Sequence, residues 1–411
     1  MGLEDMRRRL PVVDALPRSK ARSYHPASVE QRPRPSYAVW EFTQACDQRC
    51  RACGPRAGHA RPDELGTEEA LQLVDALAEL GVGEVTLIGG EAYLRDDVLL
   101  VIRRIRERGM KATMTTGGLT LTRRRAEALA EAGLELASVS IDGLATTHDG
   151  LRTPGGFARA IDALRSLRAA GVSIGANTQI NRRTLGELVA LGERLADEGI
   201  VTWQLIITIA HGNAADAPEL LLQPHMMIEL YDELARVVEL CEARRVAIWP
   251  GNNVGYFGPL ESRLRRHQNA GGHYRGCQAG TSVIGIQSNG YIKSCPSLGG
   301  PANTGGSIRD HDLLTIWERA PELRALGRRT VDDLWGFCRT CYYAKTCMGG
   351  CSATSEPLFG RPGNNPFCHH RALELQRQGL RERIEPTAAA DPAPFGFAAY
   401  RLITEAIPDE P

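Results

Sequence analysis

The chain has 411 residues, with 49 basic and 49 acidic side chains, 43% hydrophobic and 24% charged residues. This balance is ordinary for a soluble globular protein, and the lack of a basic excess argues against a nucleic-acid partner. No apolar run approaches the roughly 18 residues of a membrane helix, and no apolar segment follows Arg7, Arg8 and Arg9 as in a secretory signal. A cytoplasmic protein with no membrane partner is expected. Eleven cysteines in such a chain point to metal binding or thiol chemistry, because the cytosol keeps thiols reduced.

In chain order, residues 1–36 read as a basic, Pro-rich arm. From 37 to 250 strand and helix signals alternate. Strands are expected at Ala38–Thr43, Glu84–Ile88, Lys111–Thr115, Leu136–Ile141, Ser173–Ile180 and Thr202–Ile209. Helices are expected at Thr67–Leu80, with Thr67 as N-cap, and at Asp96–Arg108, Thr122–Glu131, Gly155–Ala169, Thr184–Asp197 and His225–Arg244. Alternation of this kind calls for a parallel sheet with right-handed crossovers. Six units fall short of the eight of a closed barrel, so the fold class is α/β with a partial (β/α)6 barrel. Cys241 falls on the apolar face of His225–Arg244 and reads as a core residue.

Beyond 250 the helical period fades and cysteines crowd together. Residues 251–383 read as a small domain held by metal, because its apolar content is thin. A hairpin is expected within Gly280–Ile292, short helices at Asp312–Ala320 and Pro321–Leu326, and a helix at His370–Arg383. Residues 384–411 read as a linker and tail.

Three cysteines, Cys46, Cys50 and Cys53, follow the first strand on one short loop. A loop after a barrel strand lies at the C-terminal mouth, where βα enzymes keep their sites. Three thiolates there suit three irons of a four-iron cluster, with the fourth iron open. Structural zinc generally takes four protein ligands, and only His59 is near enough to be a fourth. The spacing and its place resemble the radical S-adenosylmethionine superfamily over residues 37–250. The resemblance implies that the open iron binds the amino and carboxylate groups of S-adenosylmethionine, and that the reduced cluster cleaves it to a 5′-deoxyadenosyl radical. Ala52 departs from the aromatic residue common before the last cysteine.

Further elements carry the resemblance. Gly89-Gly90-Glu91 follows the second strand and resembles the family's Gly-Gly-Glu element, which receives the amino end of S-adenosylmethionine; glycines allow close backbone approach. Ala92 stands where the family usually has Pro. Ser140 and Asp142 share a face at the end of the fourth strand, and matching family positions contact ribose and carboxylate. Arg152, in His148-Asp149-Gly150-Leu151-Arg152, matches an Arg that clamps the carboxylate of S-adenosylmethionine, a task suited to a guanidinium fork. Asn177 and Gln179 share a face on the fifth strand and are candidates for the adenosyl group.

The later cysteines are Cys277, Cys295, Cys338, Cys341, Cys347, Cys351 and Cys368. As bare chemistry they read as two metal sites, for which a pair of zinc knuckles is the ordinary alternative. With Gly290 they match the SPASM extension of radical S-adenosylmethionine enzymes over residues 277–368. The resemblance implies two auxiliary clusters, one on Cys277, Cys295 and Cys351 and one on Cys338, Cys341, Cys347 and Cys368. Three [4Fe-4S] clusters in all are implied, the first auxiliary one lacking a fourth thiol.

SPASM relatives mostly act on peptides or proteins. The expected substrate is a ribosomally made precursor peptide, recognised through its leader. The roughly 36 residues before the first strand are too few for an appended leader-binding domain, so a separate leader-binding protein is a candidate partner. A reductase such as flavodoxin or ferredoxin is another. Sulfatase-type protein oxidation, a small-molecule substrate and a zinc-stabilised binding module are the alternatives.

Overall fold

The computed structural model describes residues 33–251, 254, 257–268, 274 and 276–408. Nearly all of the basic arm expected at 1–36 lies outside them.

The barrel strands are β1 (Tyr37–Thr43), β2 (Glu84–Gly89), β3 (Lys111–Thr116), β4 (Leu136–Ser140), β5 (Ser173–Ile180), β6 (Thr202–Ile207) and β7 (Ala247–Pro250). The helices between them are α1 (Thr67–Leu80), α2 (Val98–Glu107), α3 (Arg123–Glu131), α4 (Ala145–Leu151), α5 (Gly156–Ala169), α6 (Leu188–Asp197) and α7 (Met227–Arg244). The six expected β/α units are present. The short helix α4 and the strand β7 were not expected: each is too brief to show a period. Thr67 is the first helical residue and not the cap. Gly66 takes the cap position, with its N–H bonded to Glu69 at 2.9 Å, while the Thr67 hydroxyl donates to Asp97 at 3.0 Å.

Three further strands, β8 (Val283–Ile286), β9 (Tyr291–Lys293) and β10 (Thr304–Ser307), continue the same sheet. Its order is β10-β9-β8-β1-β2-β3-β4-β5-β6-β7. β1 to β7 are parallel in sequence order, and β8 lies parallel to β1, with Tyr37 opposite Val283. β8 and β9 form the expected hairpin, which turns at Gly290 in the left-handed region (φ +85°). The sheet has two ends, so the barrel is partial, and the C-terminal hairpin is built onto its first strand.

The two faces of this sheet differ. Toward the helices it presents buried Trp40, Phe42, Leu87, Val139, Trp203 and Leu205. The opposite face is polar: Tyr37 Oη meets Thr86 Oγ1 at 2.8 Å, Thr86 meets Thr113 at 2.6 Å, and Asn177 lies opposite Ser140 and Gln204. Parallel strands are ordinarily apolar on both faces. The polar inner face sets this side of the sheet apart from the helix-covered apolar side.

The C-terminal region differs from expectation. The helix at 370–383 ends at Gln376, and residues 384–411 are not a plain linker and tail. Strand β11 (Leu380–Ala388) pairs antiparallel with β12 (Ala399–Ala406). The cause is a row of cross-strand ion pairs, including Arg381–Glu405, Arg383–Glu405 and Arg401–Glu385, together with buried Ile384 and Tyr400. In the sequence these residues read as the end of a helix, a Pro/Ala linker and an apolar then acidic tail.

Candidate functional site

The loop of Cys46, Cys50 and Cys53 leaves the C-terminal end of β1. Its base is closed by two bonds, Cys46 N to Gly58 O at 3.1 Å and Gly58 N to Gln44 O at 2.9 Å. Asn213, just after β6, folds the far side: its N–H donates to Cys53 O at 2.9 Å and its Nδ2 to Cys50 O at 2.8 Å. Donors converge on the sulfurs. Gln48 N–H lies 3.4 Å from Cys46 Sγ, Ala57 N–H 3.3 Å from Cys53 Sγ, and Arg152 Nη1 3.6 Å from Cys50 Sγ. Burial nevertheless pushes the Cys46 thiol up to about 12 and Cys50 up to about 11, and neighbouring thiolates add to the rise. Three thiolates persist in such a place only when a metal carries their charge.

Glycines 89 and 90 permit a close backbone approach, and the chain they approach is the root of this loop. A Cβ on either would overlap a carbonyl oxygen, of Thr43 for Gly89 and of Ala45 for Gly90. In return Gly90 N–H donates to Thr43 O at 2.7 Å and Glu91 N–H to Ala45 O at 2.8 Å. The Glu91 carboxylate is buried, accepts from Thr116 Oγ1 and from Gly117 N at 2.6 Å, and is pushed up to about 8 by burial. With Cys46 Sγ and an Asp47 oxygen it forms a group within 4.8 Å. Tyr93 Oη and Thr120 Oγ1 both hold Asp47 at 2.6 Å.

Asp142 and Arg152 meet across the mouth. Arg152 Nε donates to Asp142 Oδ2 at 2.8 Å, and Gln179 N–H donates to Asp142 Oδ1 at 2.7 Å. Both Asp142 oxygens are thus engaged within the chain, and its part is to hold the guanidinium. Arg152 Nη2 has no hydrogen-bond partner among the described residues and is the donor available to a carboxylate. His148, on α4, accepts Asp142 N–H at Nδ1 over 3.1 Å; burial, then the Arg152 charge, push it down to about 4 and keep it neutral for that role. Ser140 and Asn177 are half-buried register partners on the polar face of the sheet, and Asn177 Nδ2 lies 3.4 Å from Thr115 Oγ1.

The remaining ligand candidates form two groups. Cys277, Cys295 and Cys351 pack with Ala279, Leu298, Leu326, Ala353 and Ile209, the last lying just beyond β6 of the barrel. Burial, followed by the charges of the other two thiols, raises Cys351 to about 12. Cys338, Cys341, Cys347 and Cys368 likewise raise one another. Arg371 is the cation beside Cys338, Cys341 and Cys368, and Tyr343 N–H lies 3.4 Å from Cys341 Sγ. Sets of three and four cysteine thiolates are donor sets that iron–sulfur clusters take. The eleventh cysteine, Cys241, is buried in the core on α7.

Sequence reasoning missed the residues that join these sites. His211 packs against Gly54, next to Cys53; a Cβ on Gly54 would lie 2.8 Å from its ring. Its ring centroid is 5.5 Å from that of Phe395, in the loop between β11 and β12, and Lys293 Nζ lies 4.1 Å from the Phe395 ring centroid. Lys293 is buried; burial pushes its ammonium down to about 8, against the nearby Glu41 charge. The Phe395 loop is pinned by Phe395 N to Gly54 O at 2.9 Å, Gly212 N to Gly396 O at 2.7 Å, and Arg56 Nη2 to Asp391 O at 3.3 Å. His211 and Asn213 lie just past the C-terminal end of a barrel strand, the one signal that marked them beforehand.

Comparison with known proteins agrees with this geometry. The radical SAM superfamily profile matches residues 40–216, and an iron-sulfur cluster-binding domain profile, SPASM, matches 277–342. An Fe-coproporphyrin III synthase of Methanosarcina barkeri is 31% identical over 82% of this chain and 88% of its own length. An AdoMet-dependent heme synthase of the same organism is 28% identical over 82% and 97%. A mycofactocin maturase of Mycobacterium ulcerans is 27% identical over 85% and 93%. Among solved structures, Streptococcus suis SuiB bound to S-adenosylmethionine superposes with a TM-score of 0.64 at 18% identity, covering 82% of this chain and 76% of that one.

Proposed function

Because the chain belongs to the radical SAM superfamily and carries a SPASM domain, we propose that it modifies a ribosomally synthesised peptide by radical chemistry, using three [4Fe-4S] clusters. The observation that carries the reaction class is the Cys46–Cys53 loop at the C-terminal end of β1, with Arg152 fixed between Asp142 and Cys50. Cys46, Cys50 and Cys53 would hold a cluster that, when reduced, would supply the electron for cleaving S-adenosylmethionine to a 5′-deoxyadenosyl radical. The chain's own residues bind and orient. Arg152 Nη2 takes the carboxylate of S-adenosylmethionine, held at its angle by Asp142. Glu91 and the backbone of Gly89 and Gly90 receive its amino end. Ser140, Asn177 and Gln179, on the polar face of the sheet, take the adenosyl group. A ferredoxin or flavodoxin supplies electrons.

The peptide reading is supported by relatives named mycofactocin maturase and PqqA peptide cyclase, each 27% identical. A tetrapyrrole reading is favoured by the heme synthases, which are 26 to 28% identical. Deuterium transfer separates the two. The reduced protein is given S-adenosylmethionine with either a deuterated ribosomal precursor peptide or a deuterated tetrapyrrole bearing carboxylate side chains. The peptide reading expects label in 5′-deoxyadenosine from the peptide alone; label from the tetrapyrrole alone would reverse the assignment.

A further inference from the structure

Lys293 is one of only four lysines in a chain whose other basic residues are arginines. Its side chain is 2% exposed. Nζ donates to Pro296 O at 3.2 Å, and Pro296 directly follows Cys295. The Phe395 ring covers Nζ on another side. Among the described residues no carboxylate lies within ion-pair distance of it. The nearest candidate, Glu41, is engaged elsewhere: it pairs with Arg61 at 3.1 Å and accepts from Gln44 and Ser288. A buried ammonium without a counter-charge is strongly disfavoured, so the chain must meet this charge with something else.

The group beside it can do so. Lys293 ends β9 two residues before Cys295, and its Nζ reaches the carbonyl of the residue that follows that cysteine. A four-iron cluster on three thiolates carries a net negative charge, which grows by one on reduction. A fixed cation in a dry, low-dielectric place stabilises the reduced form more than the oxidised one. We propose that Lys293 is a positioning residue for electron transfer, a built-in positive charge that raises the reduction potential of the Cys277–Cys295–Cys351 site. This rests on the three-cluster reading above. Phe395 completes the device by keeping water from the ammonium. The same loop is anchored to Gly54 beside Cys53, so the charged wall lies between the first auxiliary site and the radical site.

The test is a mediator-controlled redox titration of the anaerobically reconstituted full chain with dithionite, followed by electron paramagnetic resonance. The Cys295→Ser variant identifies the signal of the first auxiliary site by its loss. Lys293→Met is expected to move that site's midpoint to lower potential and leave the other two in place, with Lys293→Arg restoring most of the shift. Full iron content with all three midpoints unchanged in Lys293→Met would overturn the inference. Should Lys293→Met fail to hold its cluster, Lys293→Gln carries the test. It keeps a donor toward Pro296 O without the charge, and an unchanged midpoint there overturns the inference equally. A wild-type chain that does not bind three clusters contradicts the underlying reading instead, and does so before any variant is made.

Discussion

Arg152 shows how one side chain serves two sites. Its Nε is bonded to Asp142 and its Nη1 faces Cys50, both within a buried environment with side chains 10% and 5% exposed for Arg152 and Asp142. Removing it leaves a buried carboxylate whose remaining partner is the Gln179 amide. Breaking a buried pair in this way costs about 3 kcal/mol or more. Arg152→Ala is therefore expected to lower stability by that amount in urea denaturation. In an anaerobic titration it should weaken S-adenosylmethionine roughly ten- to a hundred-fold, the loss of one charge-assisted bond. Unchanged affinity with lowered stability would make Arg152 a structural residue only. The sequence marked Arg152 and Asp142 separately as ligands. That the two bind each other was not legible there, because nothing in spacing alone shows that α4 returns Arg152 to the end of β4.

At the scale of elements, the barrel units were legible because each carries a long apolar period. Trp40 and Phe42 on β1, and Leu73 and Leu77 on α1, are buried as that period requires. The C-terminal hairpin was not legible, because its strands are charged and the residues between them are rich in Pro and Ala. A buried ion pair explains its position. Arg371, on the helix His369–Gln376 that follows Cys368, forks onto Glu382 of β11 at 2.7 and 2.6 Å, and its Nη1 also reaches Asn364 at 2.6 Å. The pair is almost wholly buried, at 3% and 6% side-chain exposure. Glu382→Ala leaves that guanidinium without its carboxylate and is expected to cost about 3–5 kcal/mol. The strained region lies against Cys338 and Cys368, so the second auxiliary site is expected to lose iron as well. A variant with wild-type stability and full iron content would show that the hairpin is an independent appendage.

Across the whole molecule, one ten-stranded sheet carries both the barrel and the strands that present Cys295, and the segment after β6 touches two thiol groups, Ile209 at one and Asn213 at the other. The cysteine pattern made the three groups legible in the sequence. The joining of the Cys46–Cys53 loop to the Cys295 group through His211, Phe395 and Lys293 was not, since those residues come from three distant parts of the chain. The central claim is that the ten grouped cysteines hold three iron–sulfur clusters and not zinc. The most direct measurement is iron, acid-labile sulfide and zinc per chain after anaerobic reconstitution, for the wild type and for the variant with Cys46, Cys50 and Cys53 all changed to Ala. The account predicts about twelve irons with matching sulfide in the wild type and roughly eight in the variant. Two zinc ions per chain without labile sulfide, unchanged by the triple substitution, would contradict it.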